Sequence, residues 1–257
     1  LAGMRPIVVH PRMDFMIYAM DSIVNQAAKW SHMFGGQASP CLTVRSIINR
    51  GGEQGAQHSQ ALHSWFAHVP GLRVVMPYSV ADARDLLIAS VLCNDPVIYI
   101  DDRWLYEQQD DLPPAESVDL TVQGPKSIIK GSDVSIVGSG YATFLAQQAA
   151  KILLKDDIKI EVIDLRILNP FDPSIIIESV KKTGYLVALD SGTLTAGFSA
   201  EIIASVSEKI SPRFFKKPPV RIALPNAPAP TATILEKEYY TKVEDIVDAV
   251  KVLLSIT

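Results

Sequence analysis

The sequence predicts an α/β protein of two domains, each built on a parallel or mixed sheet. Short apolar runs typical of strands alternate with helical segments along most of the chain. One run, Val97 to Ile100, is continuously apolar, as in strands that are buried on both faces of a parallel sheet. The alternation lapses from Glu107 to Lys126, where an acidic, proline-containing stretch without helical periodicity indicates a domain boundary.

Length and composition agree with two globular domains and exclude a largely disordered chain. The 257 residues are 48% hydrophobic and 20% charged, with a net charge of -4. No Lys/Arg-rich run stands out, so nucleic acid is not an expected partner. The two cysteines, Cys41 and Cys93, lack metal-binding spacing and predict thiols in a reducing compartment. No apolar run could span a bilayer, so no membrane is expected.

The first domain is predicted over residues 1–110, as the later part of a larger domain. Because the chain opens on Leu1 and leads directly into a strand, we expect the natural protein to extend further upstream. In the first helix apolar residues recur at helical spacing, so Phe15 and Tyr18, taken by themselves, are predicted core residues. The predicted strands cover 7–9, 41–45, 74–76 and 97–100, and the predicted helices cover 12–30, 61–68 and 79–94.

The second domain is predicted over residues 127–257, after a linker at 111–126. Ser79 with Asp82 in the first domain, and Thr241 with Glu244 here, resemble helix N-caps with an acidic residue three places on. Asp172 is a third predicted N-cap, of a helix that ends at Gly184. The predicted strands cover 134–137, 160–165, 186–189 and 220–224, and the predicted helices cover 141–155, 173–183, 199–210 and 241–256.

A Gly-rich loop, Gly51 to Gln60, carries the sequence Gly-Gly-Glu-Gln-Gly-Ala-Gln-His-Ser-Gln between the second strand and a short helix. Glycine allows positive φ and a close approach of the backbone to a ligand, and His58 suits proton transfer near neutral pH. An ordinary surface loop with a hydrogen-bonded histidine explains these residues equally well. His63 and His68 follow at intervals of five, which turns their side chains onto different helix faces and disfavours a three-histidine metal site.

Other motifs give weaker indications of a functional site. Gly138-Ser139-Gly140 follows a strand and precedes a helix but lacks the third glycine of a dinucleotide-binding loop, so an ordinary strand-to-helix turn is favoured. Neither a P-loop nor a nucleophile elbow is present. Arg45 and Asp190 lie near strand ends, where open α/β sheets bind ligands.

Several segments together resemble the beta subunit of the thiamine-diphosphate-dependent 2-oxo-acid dehydrogenases. They are G-M-R-P-I, D-F-x-x-x-A-M-D-x-I-V-N-Q-A-A-K, M-F-G-G-Q, G-A-Q-H-S-Q, W-F-A-H-V-P-G-L-R-V-V-M-P, N-D-P-V-I-Y-I, E-V-I-D-L-R-x-L-x-P-F-D and S-V-K-K-T. The resemblance spans nearly the whole chain and is weakest after Asp190. It implies a partial transketolase-like pyrimidine-binding domain followed by a transketolase C-terminal domain.

The resemblance also implies cofactor, partners and site residues. An alpha subunit would hold the diphosphate through Mg²⁺, and this chain would hold the aminopyrimidine, in an α2β2 heterotetramer that hands the acyl group to an acceptor such as a lipoyl-bearing acyltransferase. Phe15 matches the aromatic residue that stacks on the pyrimidine, and His58 the active-site histidine. The family's catalytic glutamate would precede Leu1. Some members bind K⁺ through backbone carbonyls, and the matching positions here are Leu42, Ser90, Cys93 and Asp95.

One departure from the family lies beside the pyrimidine pocket. After R-P-I-V the family commonly has Glu followed by an apolar residue or Gln, whereas this chain has V-H-P-R, Val9 to Arg12. The change suggests a side branch with an unusual substrate or acceptor. Two alternatives stay open: a transketolase-type subunit that transfers two-carbon units, and a non-catalytic assembly subunit of the same fold. The expected location is the cytoplasm, or the mitochondrial matrix in a eukaryote.

Overall fold

The computed structural model describes residues 1–115 and 117–255, which form two compact units. The first unit comprises Leu1–Gly124, Arg166–Phe171 and Pro228–Thr233. The second comprises Pro125–Leu165, Asp172–Ala227 and the chain from Ile234 onward. Each unit contains its own five-stranded sheet, so the α/β prediction is confirmed.

The strands are β1 Ile7–His10, β2 Thr43–Ile48, β3 Arg73–Val75, β4 Val97–Asp102, β5 Lys126–Ile129, β6 Val134–Gly138, β7 Ile160–Asp164, β8 Ile167–Asn169, β9 Leu186–Thr193 and β10 Val220–Leu224. The α-helices are α1 Ala28–Met33, α2 His63–Ala67, α3 Val80–Leu92, α4 Tyr141–Leu153, α5 Ser174–Thr183, α6 Phe198–Ser207, α7 Thr233–Tyr239 and α8 Val243–Leu254. None of the helices in the described residues has both the length and the hydrophobicity required to cross a bilayer.

The first unit is built on the sheet β1-β2-β4-β3-β8, in which only β8 runs antiparallel to its neighbour. All six residues of β4 are buried at the centre of this sheet, as its continuous apolar sequence predicts. Helix α3 packs on β4 through Leu86 and Ala89, against Val97 and Tyr99. The predicted cap of α3 is confirmed, since the Asp82 N–H donates to Ser79 Oγ at 3.1 Å.

The predicted first helix is continuous but irregular, and this corrects the burial expected for two aromatic residues. It winds as a 3-10 helix over Met13–Ala19 and as a π-helix over Asp21–Ala27 before α1 begins. In a 3-10 helix, side chains three residues apart lie on one face. Met13 and Met16 share the buried face, and Phe15 and Tyr18 share the opposite one, where they are 42% and 94% exposed.

The second unit is built on the sheet β10-β9-β6-β7-β5, parallel except for β5. Helices α4 and α8 pack together over one face and bury Leu153, Ile246 and Val250 completely. Helix α5 begins one residue later than predicted, with Pro173 rather than Asp172 at the N-cap, although Asp172 Oδ1 accepts from the Ser174 N–H at 2.9 Å. The helix ends at Thr183, and Gly184 follows with φ 82°, as predicted.

Three short elements and the bounds of several others differ from the predictions; β2 covers Thr43–Ile48 instead of 41–45, and β9 covers Leu186–Thr193 instead of 186–189. β5, β8 and α7 were not predicted, since their three to seven residues carry little periodicity. The N-cap of helix α8 lies one residue later than predicted, at Lys242 instead of Thr241, and Asp245 Oδ2, rather than Glu244, accepts from the Lys242 N–H at 2.7 Å. The predicted end of this helix at Ile256 lies outside the described residues.

Candidate functional site

Phe15 and His58 meet in the first unit. Their ring centroids are 5.4 Å apart and the ring planes cross at 83°, an edge-to-face arrangement. Phe15 comes from the 3-10 segment that follows β1, and His58 from the Gly-rich loop that follows β2. The fold therefore brings together the two residues singled out in the sequence, although they lie 43 positions apart.

Asp14 links the segment that carries Phe15 to the loop that carries His58. The side chain is buried, and its Oδ1 accepts hydrogen bonds from the backbone N–H of Gln60 at 3.1 Å and from Gln60 Nε2 at 2.9 Å. Met13 Sδ accepts from the Leu62 N–H at 3.2 Å. The segment that presents Phe15 therefore also holds the chain just beyond His58. This role of Asp14 was not predicted from the sequence. The only feature of the sequence that could have indicated it is that Asp14 directly precedes Phe15.

The beginning of the loop is held by an aromatic and ionic cluster. Gly51 has φ 69°, and a Cβ at this position would lie 2.7 Å from Cζ2 of Trp104. The Arg50 guanidinium lies over the Trp104 ring at 5.5 Å and forms a buried ion pair with Asp102 at 2.5 Å. Burial raises the pKa of Asp102, while the positive charge of Arg50 acts in the opposite direction.

The middle of the loop contacts a segment that lies far away in sequence. Gly55 has φ 68°, and a Cβ there would lie 2.7 Å from Thr231 Oγ1. Glu53 accepts a hydrogen bond from Thr233 Oγ1 at 2.6 Å. Glycine is therefore required at Gly51 and Gly55 for a structural reason, because the loop approaches Trp104 and Thr231 too closely for a side chain at either position.

His58 itself is half-buried, and its backbone N–H donates to the Gly55 carbonyl at 3.4 Å. Across residues 1–115 and 117–255, neither ring nitrogen of His58 forms a hydrogen bond. Each ring nitrogen therefore keeps the capacity to form a hydrogen bond to a bound molecule. His63 is buried and His68 is exposed, as expected of packing and surface residues. In the part of the chain that the structure describes, no three His, Cys, Asp or Glu side chains are placed to hold a metal ion.

The four positions matched to K⁺ carbonyls lie around the turn between α3 and β4. Here the Cys93 carbonyl accepts from Arg5 Nη1 at 2.6 Å, and the Leu42 carbonyl accepts from the Val97 N–H at 2.9 Å. The carboxylate of Asp95 pairs with Arg73 at 2.7 Å, and the hydroxyl of Ser90 donates within α3. A guanidinium at the Cys93 carbonyl repels a second cation. These residues therefore do not fit K⁺ coordinated by that carbonyl.

A cavity of about 170 Å³ opens at the carboxyl ends of β3 and β4. Asp101 and Tyr106 line it, and Asp101 pairs with Arg45 at 2.5 Å. Burial raises the pKa of the Asp101 carboxyl, and burial with the neighbouring Asp101 charge raises the pKa of Tyr106 to about 12. Arg45 does not lie at a strand end, because β2 continues past it to Ile48, and its charge is neutralised by Asp101.

Asp190, the other strand-end candidate, lies inside β9, which continues to Thr193, and it has a structural role in the second unit. Its Oδ1 accepts from the Gly192 N–H at 2.8 Å, and its Oδ2 accepts from the Ser199 N–H at 2.9 Å. A Cβ on Gly197 would lie 2.7 Å from the same Oδ2. Asp190 therefore holds the start of α6. Gly138-Ser139-Gly140 joins β6 to α4, as an ordinary strand-to-helix turn does.

Two family models match the chain, one over each part. The transketolase pyrimidine binding domain matches residues 1–108, and the C-terminal domain of transketolase matches residues 126–246. Phe15, His58 and the loop that carries His58 all lie within the first match.

Curated relatives match nearly the whole chain. The pyruvate dehydrogenase E1 component subunit beta of Rhizobium meliloti is 37% identical over 98% of this chain, which spans 54% of that protein. Subunit beta-1 of the mitochondrial enzyme from Oryza sativa subsp. japonica is 40% identical over 97% of this chain and 67% of that protein. The beta subunit of acetoin:2,6-dichlorophenolindophenol oxidoreductase from Cupriavidus necator is 36% identical, with coverages of 97% and 73%.

A solved structure shares the fold. It is described as "Split gene transketolase, inactive beta4 tetramer", and it superposes with a TM-score of 0.78 at 21% identity. The match covers 99% of this chain and 77% of that one. At this identity the likeness establishes the transketolase-like fold, and nothing beyond it.

Proposed function

This chain belongs to the beta subunits of the thiamine-diphosphate-dependent 2-oxo-acid dehydrogenases, and from that premise we propose that it supplies one part of a shared active site for the oxidative decarboxylation of a 2-oxo acid. The observation that supports this proposal most directly is the edge-to-face contact of Phe15 with His58. Two separate elements present the rings, and Asp14 ties those elements together. Such rigid support is typical of residues that must meet a ligand in a fixed geometry.

The residues present fit the aminopyrimidine end of thiamine diphosphate. Phe15 keeps 42% of its surface exposed, so that part of the ring remains available to stack on a flat heterocycle. When bound, the cofactor supplies the carbanion chemistry, and the protein orients the reactants and manages protons. We assign the diphosphate and its Mg²⁺ to the alpha subunit.

His58 is the proton-transfer group of this chain. A neutral imidazole can accept a proton at one ring nitrogen while it donates from the other, and neither Nδ1 nor Nε2 is engaged within the described residues. The edge contact with Phe15 restricts the orientation of the ring. His58 therefore exchanges a proton with the reacting substrate or with the acyl acceptor.

An alpha subunit completes the site in an α2β2 heterotetramer. Ile17 is 46% exposed and Tyr18 is 94% exposed on the segment that carries Phe15. Exposed apolar side chains beside an active site are typical of a surface that another chain covers. The acyl group passes to an acceptor such as a lipoyl-bearing acyltransferase. The cytoplasm or the mitochondrial matrix is the proposed location, since the relatives are bacterial and mitochondrial.

The test is donor profiling of the complex that copurifies with the tagged full-length protein. We expect thiamine-diphosphate-dependent release of CO₂ from a 2-oxo acid, reduced by His58→Ala. Turnover of ketose phosphates without release of CO₂ would instead indicate transketolase-type transfer. If the complex turns over neither class of donor, the chain is a non-catalytic assembly subunit, and the proposal is wrong.

A further inference from the structure

We propose that Arg12 makes this site selective for 2-oxo acids that carry a second carboxylate at the far end of the molecule. The inference rests on the proposed function and adds the class of substrate. It starts from a cation that is hydrogen-bonded to both segments that carry Phe15 and His58, and that has no acidic partner among residues 1–115 and 117–255.

Arg12 is linked to both elements of the site. Its carbonyl accepts a hydrogen bond from the Phe15 N–H at 3.1 Å, so its backbone begins the segment that presents Phe15. Its Nη2 donates to Gln54 Oε1 at 3.2 Å, in the loop that carries His58 four residues later. The guanidinium therefore lies between the two chain segments that form the site.

The positive charge of this guanidinium is not neutralised within the described residues. Its two hydrogen bonds go to neutral oxygens, the Gln54 amide and the Pro11 carbonyl, and its Nε is buried without a partner. The nearest carboxylate in sequence, Asp14, directs Oδ1 to Gln60 instead. A partly buried guanidinium without an acidic partner binds a carboxylate well, because its charge and its planar donor fork match that group.

His10 does not share this charge. Its Nε2 is also buried without a partner, and burial lowers the pKa of the imidazole below its ordinary value of 6.5. The ring is therefore neutral near pH 7. On the V-H-P-R segment, Arg12 is the cation that an anionic substrate meets.

The reaction indicates which carboxylate Arg12 binds. During decarboxylation the C1 carboxylate loses its negative charge as it becomes CO₂. A cation held against C1 would stabilise the substrate more than the transition state and would slow the reaction. A carboxylate that remains on the molecule keeps its charge throughout, so an ion pair with it contributes binding energy without that penalty. A dicarboxylic 2-oxo acid has such a group.

The experiment compares matched donors with the complex that copurifies with the full-length protein. One pair has five carbons, 2-oxoglutarate and 2-oxopentanoate, and the other has six, 2-oxoadipate and 2-oxohexanoate. The readout is kcat/KM for CO₂ release. We expect the dicarboxylate to be preferred in at least one pair, and Arg12→Met to lower that preference by about ten- to a hundredfold, the usual effect of losing a charge-assisted hydrogen bond.

Two further variants separate charge from structure. Arg12→Lys keeps the charge without the planar fork and is expected to retain part of the preference. Arg213→Gln removes an exposed arginine of the second unit and should leave the preference unchanged. Thermal unfolding of each complex reports whether it is folded.

The wild-type complex alone can overturn the inference, whatever the variants do. A monocarboxylate preferred in both pairs would show that Arg12 is only a structural link to Gln54, while the proposed function would stand. The same conclusion would follow if the preference for the dicarboxylate were equal in the wild-type complex and in a folded Arg12→Met complex. Absence of CO₂ release from all four acids, and from every other 2-oxo acid tested, would remove the proposed function itself.

Discussion

Gly51 and Gly52 illustrate two different reasons why a loop needs glycine, a positive φ and a close neighbour. Both residues have positive φ, 69° and 65°, which costs any other residue free energy. Only Gly51 also faces a neighbour, the Trp104 ring, whereas no atom lies within 4 Å of the Cβ position of Gly52. The loop that carries His58 is therefore held by close packing at its first glycine and by backbone conformation alone at its second.

Gly51→Ala should lower the free energy of unfolding by about 2–4 kcal/mol, because the cost of positive φ adds to the overpacking against Trp104. The matched control Gly52→Ala should cost only about 1 kcal/mol, for φ alone. Urea unfolding of both variants measures the difference. Equal losses would show that Trp104 moves aside without cost.

Phe15→Leu and His58→Gln should affect different steps. The Leu variant loses the stacking surface, so we expect the complex to bind thiamine diphosphate about tenfold more weakly. The Gln variant keeps a polar side chain but cannot exchange a proton, so turnover should fall about 10²- to 10⁴-fold with little change in cofactor affinity. Calorimetric titration and single-turnover kinetics distinguish the two effects. Unaltered turnover in His58→Gln would exclude the proton-transfer role.

Among the elements, regular periodicity predicted the central strands and the longer helices, and it failed where winding or length was unusual. Val97 to Ile100 was recognisable because a strand buried on both faces is apolar throughout. The 3-10 winding of Met13–Ala19 could not be read from the sequence, since Phe15 and Tyr18 look like core residues when an α-helical period is assumed.

The site was predicted in the same uneven way. The resemblance pointed to Phe15 and His58 as candidate site residues, whereas the loop sequence alone explained His58 equally well as a proton-transfer group or as part of an ordinary loop. Asp14 and the Trp104 contact could not be predicted, because their roles arise from a 3-10 turn and from residues about 50 positions away. The identity of a single polar residue does not indicate which distant residues it contacts in the folded protein.

Glu161 joins β7 to its neighbours, and its ionisation should make the second unit sensitive to acid. The side chain is buried; burial alone would raise its pKa, but hydrogen bonds from Lys182, Ser179 and Ser127 outweigh burial and lower the pKa from 4.5. A carboxylate with a lowered folded pKa stabilises the fold above its unfolded pKa, and this stabilisation is lost as pH falls through the folded value.

We therefore expect Glu161→Gln to lower the free energy of unfolding by about 1–2 kcal/mol at pH 7, where the wild-type carboxylate is fully ionised. The difference should narrow below pH 4.5 as the wild-type group takes up its proton. Urea unfolding at pH 7, 5 and 4 measures this, with the exposed Glu201→Gln as control. A difference that is constant with pH would mean that packing, rather than charge, holds Glu161.

The two units of the molecule differ in which parts of the chain form them. Residues 125–257 contain every described segment of the second unit. The first unit takes Leu1–Gly124 and two later segments, Arg166–Phe171 and Pro228–Thr233. Of these, β8 pairs with β3, and Thr231 packs against Gly55 in the loop that carries His58.

A fragment of residues 125–257 should accordingly unfold in one cooperative transition, since its sheet and core are complete. A fragment of residues 1–124 should not, because it lacks the partner of β3 and the residues that close over Gly55. Circular dichroism during thermal unfolding of each fragment measures this. A cooperative transition for residues 1–124 would show that the two later segments are dispensable.

The late position of Pro228–Thr233 has a consequence for biosynthesis. Translation delivers the chain from its amino end, and domains commonly fold as they emerge from the ribosome. Here the residues around Phe15 and His58 emerge before the second unit, but the segment that packs against Gly55 emerges only after Pro125–Ala227. The nascent first unit therefore keeps an open loop until most of the second unit has been synthesised. It passes through the synthesis of Pro125–Ala227 with the loop that carries His58 not yet packed against Thr231.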